Sequence, residues 1–169
     1  MQTLDLGLTK VWFANEFLPQ QEKDPAFFAQ YIELLAREFF RRRLFKELVE
    51  LHAQRNGLEG YAVLEAHAGS IGNSRRYYFW DNGWCYPVQD WIDKVDGEFA
   101  ALLILACGTK RGRVSSQRSV VIHPTTTASG IVAMMRSKAC LRLYLPGTGY
   151  LGDNPYRLRK AVDSLKGVQ

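Results

Sequence analysis

The chain has few residues of the kinds that build disulfide frameworks, metal centres or nucleotide loops. Only three cysteines and three histidines occur in 169 residues, and no two cysteines have the C-x-x-C spacing. These counts argue against a disulfide scaffold and against a zinc site. No G-x-x-x-x-G-K-[ST] loop is present. We therefore expect a protein with no metal and no cofactor.

Long apolar runs are also missing. No segment approaches the ~18 uninterrupted apolar residues of a membrane span, and the N-terminal sequence lacks the basic start and apolar run of a signal peptide. We expect a cytoplasmic protein that does not enter a membrane. A hydrophobic fraction of 47% over 169 residues provides for one core, so we predict a single domain spanning residues 1–169.

Positive charge is in modest excess. Twenty-two Lys and Arg residues oppose 17 Asp and Glu residues, which gives a formal net charge of +5. The excess is spread over several segments, a distribution typical of a solvated surface. It also leaves open an alternative function, a basic nucleic-acid-binding or adaptor domain without catalytic activity. The basic residues behind this alternative are Arg41 to Arg43, Arg75, Arg76, Lys110, Arg111 and Arg113.

Apolar runs alternate with helical patterns along the chain. Runs typical of strands lie at residues 8–13, 61–66, 77–80, 99–106, 120–122 and 140–145. Helical spacing predicts one long helix or two in tandem over residues 24–57, and further helices over 87–95, 131–138 and from 153 onward. Residues 19–24 and 67–74 are predicted to be connections, and residues 81–83 a turn. This alternation predicts an α/β sandwich with a largely parallel sheet, centred on the wholly apolar run 99–106.

Two of the predicted strands end in residues that can carry chemistry. The run 61–66 leads into His67 and the run 99–106 into Cys107, and the carboxyl ends of parallel strands line the crevice where ligands bind. A thiol beside an imidazole suits nucleophilic catalysis, because the thiolate attacks and the imidazole can protonate the leaving group. His123 also follows an apolar run and is an alternative partner for Cys107. A third interpretation makes His67 a loop histidine and Cys107 an inert thiol.

The order of these segments resembles the caspase-like cysteine peptidases (clan CD type), a group that includes caspases, metacaspases and CHAT domains. The matching segments are residues 63–69, V-L-E-A-H-A-G, and residues 102–108, L-L-I-L-A-C-G. In those families a His-Gly pair follows one strand, and a small residue with the nucleophilic Cys ends the neighbouring strand. The resemblance implies a three-layer sandwich and a cysteine peptidase, or an inactive relative, with a peptide or protein substrate.

The resemblance also implies roles for individual residues. His67 would be the general base and acid, and Cys107 the nucleophile. The backbone amides of Gly69 and Cys107 would stabilise the oxyanion. Ala68 stands where the family usually has Gly directly after His. No motif identifies a specificity pocket, and the acidic candidates near the rim are Asp81, Asp90 and Asp153.

Overall fold

The computed structural model describes residues 1–39, 43–109, 111–125, 141–152 and 154–167, with the backbone alone at residues 35–39 and 43. Its strands are β1 (Gln2–Leu6), β2 (Thr9–Phe13), β3 (Tyr61–Glu65), β4 (His67–Gly69), β5 (Tyr78–Asp81), β6 (Trp84–Pro87), β7 (Ala101–Leu105), β8 (Val120–Pro124), β9 (Leu141–Leu145) and β10 (Gly149–Leu151). Its α-helices are α1 (Leu18–Lys23), α2 (Pro25–Phe39), α3 (Arg43–Asn56), α4 (Val88–Val95) and α5 (Pro155–Leu165).

The main sheet has seven strands in the order β1-β2-β3-β7-β8-β9-β10. The four central strands, β2, β3, β7 and β8, are parallel, whereas β1, β9 and β10 pair antiparallel with their neighbours at the two edges. The predicted α/β class with a largely parallel central sheet is therefore confirmed. Glu65 pairs with Leu105 at the ends of β3 and β7, so His67 and Cys107 each lie two residues beyond the same register position.

Alternate residues of the central strands enter two separate cores. On one face, Leu103 and Leu105 of β7 pack in a cluster with side chains of α2, α3 and α5. On the other face, Leu102 and Ile104 pack in a cluster with α4 and with Phe79 of β5, which belongs to the small antiparallel sheet β4-β5-β6. Every residue of β7 is buried, as the apolar run predicts, because both faces of this strand are covered.

Local sequence signals explain the helix boundaries. The Asp24 side chain accepts a hydrogen bond from the Phe27 amide at the start of α2, and the Asn154 side chain caps α5 in the same way. In α4 the four apolar residues at positions i, i+3, i+4 and i+7 are all buried, which confirms the amphipathic prediction. The predicted turn after Asp81 is also confirmed, because Asn82 and Gly83 both adopt the positive φ that a tight hairpin requires.

Several short elements differ from the sequence expectations. Residues predicted as connections form α1, which has a proline in its first turn, and β4, which pairs with β5. The strands β1, β6 and β10 are additional, and each is held by a hairpin partner. Some of the predicted features lie outside the described residues. They are the helix over residues 131–138, Cys140 and the acidic candidate Asp153. Among the residues that are described, no helix has the length and apolar character needed to cross a membrane.

Candidate active site

A cavity of about 670 Å³ lies at the carboxyl ends of β3 and β7. Residues 65–67 and 105–107 form one wall, and side chains of α1 and α2, among them Phe27 and Tyr31, form the other. Its volume lies within the roughly 300–1,000 Å³ typical of small-molecule sites. His67 and Cys107 both border this cavity, so the two residues predicted from the strand ends share one space.

His67 is the more exposed of these two residues. It opens β4, where it pairs with Trp80, and its side chain is 69% exposed. Its Nε2 atom lies 3.5 Å from Oε2 of Glu16, and its ring lies 5.5 Å from the Phe17 ring. An exposed contact of this kind stabilises the fold little.

The position of Cys107 is fixed through its backbone. The Tyr77 hydroxyl donates a hydrogen bond of 2.5 Å to the Cys107 carbonyl, and the thiol is partly buried at the cavity wall. The next residue, Gly108, packs so closely on Pro124 that a Cβ atom there would overlap the Pro124 carbonyl. The Cys-Gly sequence is therefore explained by the close approach of the chain after β7 to the end of β8.

Gly69 lies at the end of β4 and pairs with Tyr78 of β5. It is not among the residues that line the cavity. Of the two amides expected to stabilise an oxyanion, only that of Cys107 therefore belongs to a residue of the cavity wall.

His123 lies in a buried hydrogen-bond network and not at the cavity. Its Nδ1 atom is 2.9 Å from the Pro124 carbonyl, so it donates there, and its Nε2 accepts from the Tyr150 hydroxyl at 3.2 Å. The Tyr150 oxygen in turn accepts from the Val114 amide. Burial lowers the pKa of His123 to about 4, which keeps the ring neutral. Because both nitrogens are engaged and the residue does not line the cavity, the alternative pairing of His123 with Cys107 gains no support.

Glu65 is a residue of this site that the sequence reasoning missed. It is 3% exposed, it borders the cavity, and burial raises its pKa to about 8. Tyr31 lines the same cavity, and burial together with the charge of Glu65 raises the pKa of Tyr31 to about 12. A period-two signal was available, because Glu65 shares a strand face with the apolar Val63 and therefore faces the core.

The other acidic candidates do not lie at the cavity. Asp81 is buried, where it accepts a hydrogen bond from the Asn15 amide, and Asp90 is exposed on α4. The acidic residues that do line the cavity are Asp24 and Glu65. Within the described ranges, no three His, Cys, Asp or Glu side chains are grouped so that they could hold a metal ion.

Two of the basic segments lie side by side in the structure. The Arg113 amide donates to the Arg75 carbonyl, and the Arg111 guanidinium donates to the Asn73 side chain. The side chains of Arg75, Arg76, Arg111 and Arg113 are exposed. Arg41, Arg42 and Lys110 lie outside the described residues, and Arg43 is described by its backbone alone.

No protein-family model, curated protein or solved structure matches this chain. Its chemistry is therefore argued from the site itself. A thiol, an exposed imidazole and a backbone amide border one cavity, and these are the groups that acyl transfer through a cysteine needs.

Proposed function

We propose that this chain is a caspase-like cysteine peptidase that hydrolyses peptide bonds through Cys107 and His67. The observation that carries the proposal is that both residues border one cavity at the ends of adjacent parallel strands. The order of elements adds support. β3 is followed by the small sheet, whose first residue is His67, then by α4, and then by β7 and Cys107. The covered faces of the main sheet are consistent with the three-layer sandwich that the resemblance implies.

The proposed reaction proceeds through a thioester. The His67 imidazole accepts the thiol proton of Cys107, and the thiolate attacks the carbonyl carbon of the peptide bond. The Cys107 amide stabilises the negative oxygen of the tetrahedral intermediate. The protonated His67 then gives its proton to the leaving amine as the carbon–nitrogen bond breaks. Water, deprotonated by His67, hydrolyses the thioester and regenerates the thiol.

Among the described residues, Cys85 and Cys107 are thiols and form no disulfide. A thiol nucleophile must stay reduced, and reducing conditions are those of the cytoplasm, where disulfides are rare. A cytoplasmic location therefore remains our prediction for this function.

Covalent labelling with a peptidyl chloromethyl ketone tests the proposal. In this reaction the Cys107 sulfur forms a bond to the methylene carbon, chloride leaves, and the thiol proton passes to His67. Mass spectrometry of the digested protein locates the adduct. Cys85 on β6 is an internal reference, because it is exposed whereas Cys107 is partly buried. We expect the adduct mainly on Cys107, although exposure alone favours Cys85.

The controls separate an active enzyme from an inactive relative. The same reagent on the protein unfolded in urea measures the intrinsic reactivity of each cysteine and normalises the result. If labelling of the folded protein follows exposure, with Cys85 modified before Cys107, the thiol is not activated. The catalytic proposal is then wrong. The interpretation that remains is an inactive relative, which has the fold without the reaction.

A second candidate function, nucleic-acid binding, is favoured by the adjacent basic segments around Arg75 and Arg113. Four exposed arginines on two neighbouring loops can contact phosphates, and such binding weakens steeply with salt. Fluorescence anisotropy with a labelled single-stranded oligonucleotide at 50 and 200 mM salt tests this candidate. Binding that is lost in the double variant Arg75→Ala/Arg76→Ala would support it, and no binding at the lower salt concentration would remove it.

A further inference from the structure

The cavity beside Cys107 contains one buried acidic group with an unsatisfied oxygen. Glu65 is the last residue of β3, and its side chain lies on the same sheet face as Val63, toward α2. Within the described part of the chain, its Oε2 atom is buried and accepts no hydrogen bond. A buried carboxyl oxygen without a donor is destabilising, so at the wall of a cavity this atom marks a position where a ligand can supply the donor.

The rest of the cavity lining is largely apolar and aromatic. Phe17, Phe27 and Tyr31 come from the helical side, and Leu105 and Ala106 from the sheet. Such walls suit the aliphatic part of a long side chain, and aromatic faces also attract a cation. A carboxylate side chain offers no N–H donor to the Glu65 oxygen. A metal ion needs further ligands, and the described residues hold no suitable group of three.

The charged residues at the opening do not change this preference. Lys23 and Asp24 also line the cavity, but both are exposed, carry opposite charges and lie at the junction of α1 and α2. Their fields are screened by water, whereas the field of a buried carboxylate is not. Burial raises the pKa of Glu65 to about 8, so a cation that enters displaces the carboxyl proton and pairs with the carboxylate.

We propose that this cavity binds a cationic side chain of the substrate, lysine or arginine, with Glu65 as the counter-charge. The inference rests on the proposed function, because peptide hydrolysis is what makes the ligand a peptide. Glu65 lies two residues before His67, and two residues of chain span at most about 7 Å. A long side chain that reaches Glu65 can therefore keep its own backbone near His67 and Cys107, which border the same cavity. The proposed enzyme cleaves peptides next to a basic residue.

Two small probes of equal length test the inference without catalysis. Butylguanidinium carries the cation, and butylurea replaces it with a neutral group of the same shape. We expect butylguanidinium to bind the unmodified protein at least 10-fold more tightly, as measured by NMR titration. The preference should disappear in Glu65→Gln and persist in Glu22→Gln, a charge-matched control on α1 that does not line the cavity.

Equal binding of the two probes, or binding of neither, would overturn the inference. A cation preference that survives Glu65→Gln would overturn it as well. The comparison on the unmodified protein stands even if Glu65→Gln does not fold. A failure of this inference can be distinguished from a failure of the proposed function. If the cavity shows no preference for cations, a chloromethyl ketone with a neutral side chain can still modify Cys107.

Discussion

His67 follows β3 and His123 lies near the end of β8, and their surroundings differ in every respect that matters for chemistry. His67 is exposed, borders the cavity and has one weak partner in Glu16. His123 is fully buried, and both of its nitrogens are hydrogen-bonded to Pro124 and Tyr150. A histidine after an apolar strand is therefore not by itself a sign of catalysis. Exposure and access to a cavity distinguish the candidate base from the structural histidine.

The largest effect should come from removing the histidine at the cavity. We expect His67→Ala to reduce peptide hydrolysis by about 10²–10⁴-fold, the usual contribution of a general acid and base. The free energy of unfolding should change little, because the His67 side chain is mostly exposed. His123→Gln should do the reverse, lowering stability and retaining hydrolysis. Rates with a basic peptide substrate and denaturant unfolding of both variants would check this, and the opposite pattern would assign catalysis to His123.

The contact that joins the two regions gives the next largest effect. Gly108→Ala should lower the free energy of unfolding by about 3 kcal/mol or more, because its Cβ would overlap the Pro124 carbonyl and neither backbone can yield easily. Gly152→Ala is the matched control, since a Cβ there meets no atom within 4 Å. Urea unfolding measures both changes. Similar stabilities for the two variants would show that the chain after Cys107 is not held by this contact.

The two regions should also respond to pH in opposite directions. The folded protein holds a proton on Glu65, whose pKa rises from 4.5 to about 8, so stability present at low pH is lost as the pH rises through this window. The pKa of His123 falls from 6.5 to about 4, so its contribution is present above 6.5 and is lost as the pH falls toward 4.

Substitution of each group should remove the corresponding slope. In Glu65→Gln the decrease in stability between about pH 4.5 and 8 should flatten, and in His123→Gln the decrease below about pH 6.5 should flatten. Across each pH range the free energy of unfolding should change by a few kcal/mol at most, on the order of 1.4 kcal/mol per unit of pKa difference. Urea unfolding from pH 4 to 9 measures both. Unchanged slopes in either variant would show that the substituted group is not responsible.

The smallest effect concerns the carboxylate beside His67. Glu16→Gln should slow hydrolysis by only about 2- to 5-fold, because the pair is exposed and such pairs contribute little. A loss as large as that of His67→Ala would instead make Glu16 an essential member of the site.

The parts of the fold that the sequence predicted are those with strong local patterns. β7 is apolar at every position and α4 has a helical period, and tertiary contacts override neither pattern. The short strands β4, β6 and β10 were missed because three or four residues carry almost no periodic signal, and their pairing depends on a hairpin partner. A proline-led polar segment concealed α1 in the same way.

The candidate site was predictable to a similar extent. Parallel strands bring their carboxyl ends to one edge, and this rule sufficed to place His67 and Cys107 together. Glu65 and Glu16 were not found. The period-two pattern of β3 places Glu65 on the core face, but no local pattern shows which helix will cover it. The acidic candidates Asp81 and Asp90 do not line the cavity, and their surroundings depend on long-range packing.

The central claim is that His67, and not His123, activates Cys107. The most direct measurement is the rate of alkylation of Cys107 by iodoacetamide at neutral pH, divided by that of Cys85 in the same sample. We expect this ratio to fall about 10-fold in His67→Ala, because the variant lacks the base that takes the thiol proton, and to stay the same in His123→Gln. A ratio that His67→Ala leaves unchanged, or that only His123→Gln lowers, would contradict the account.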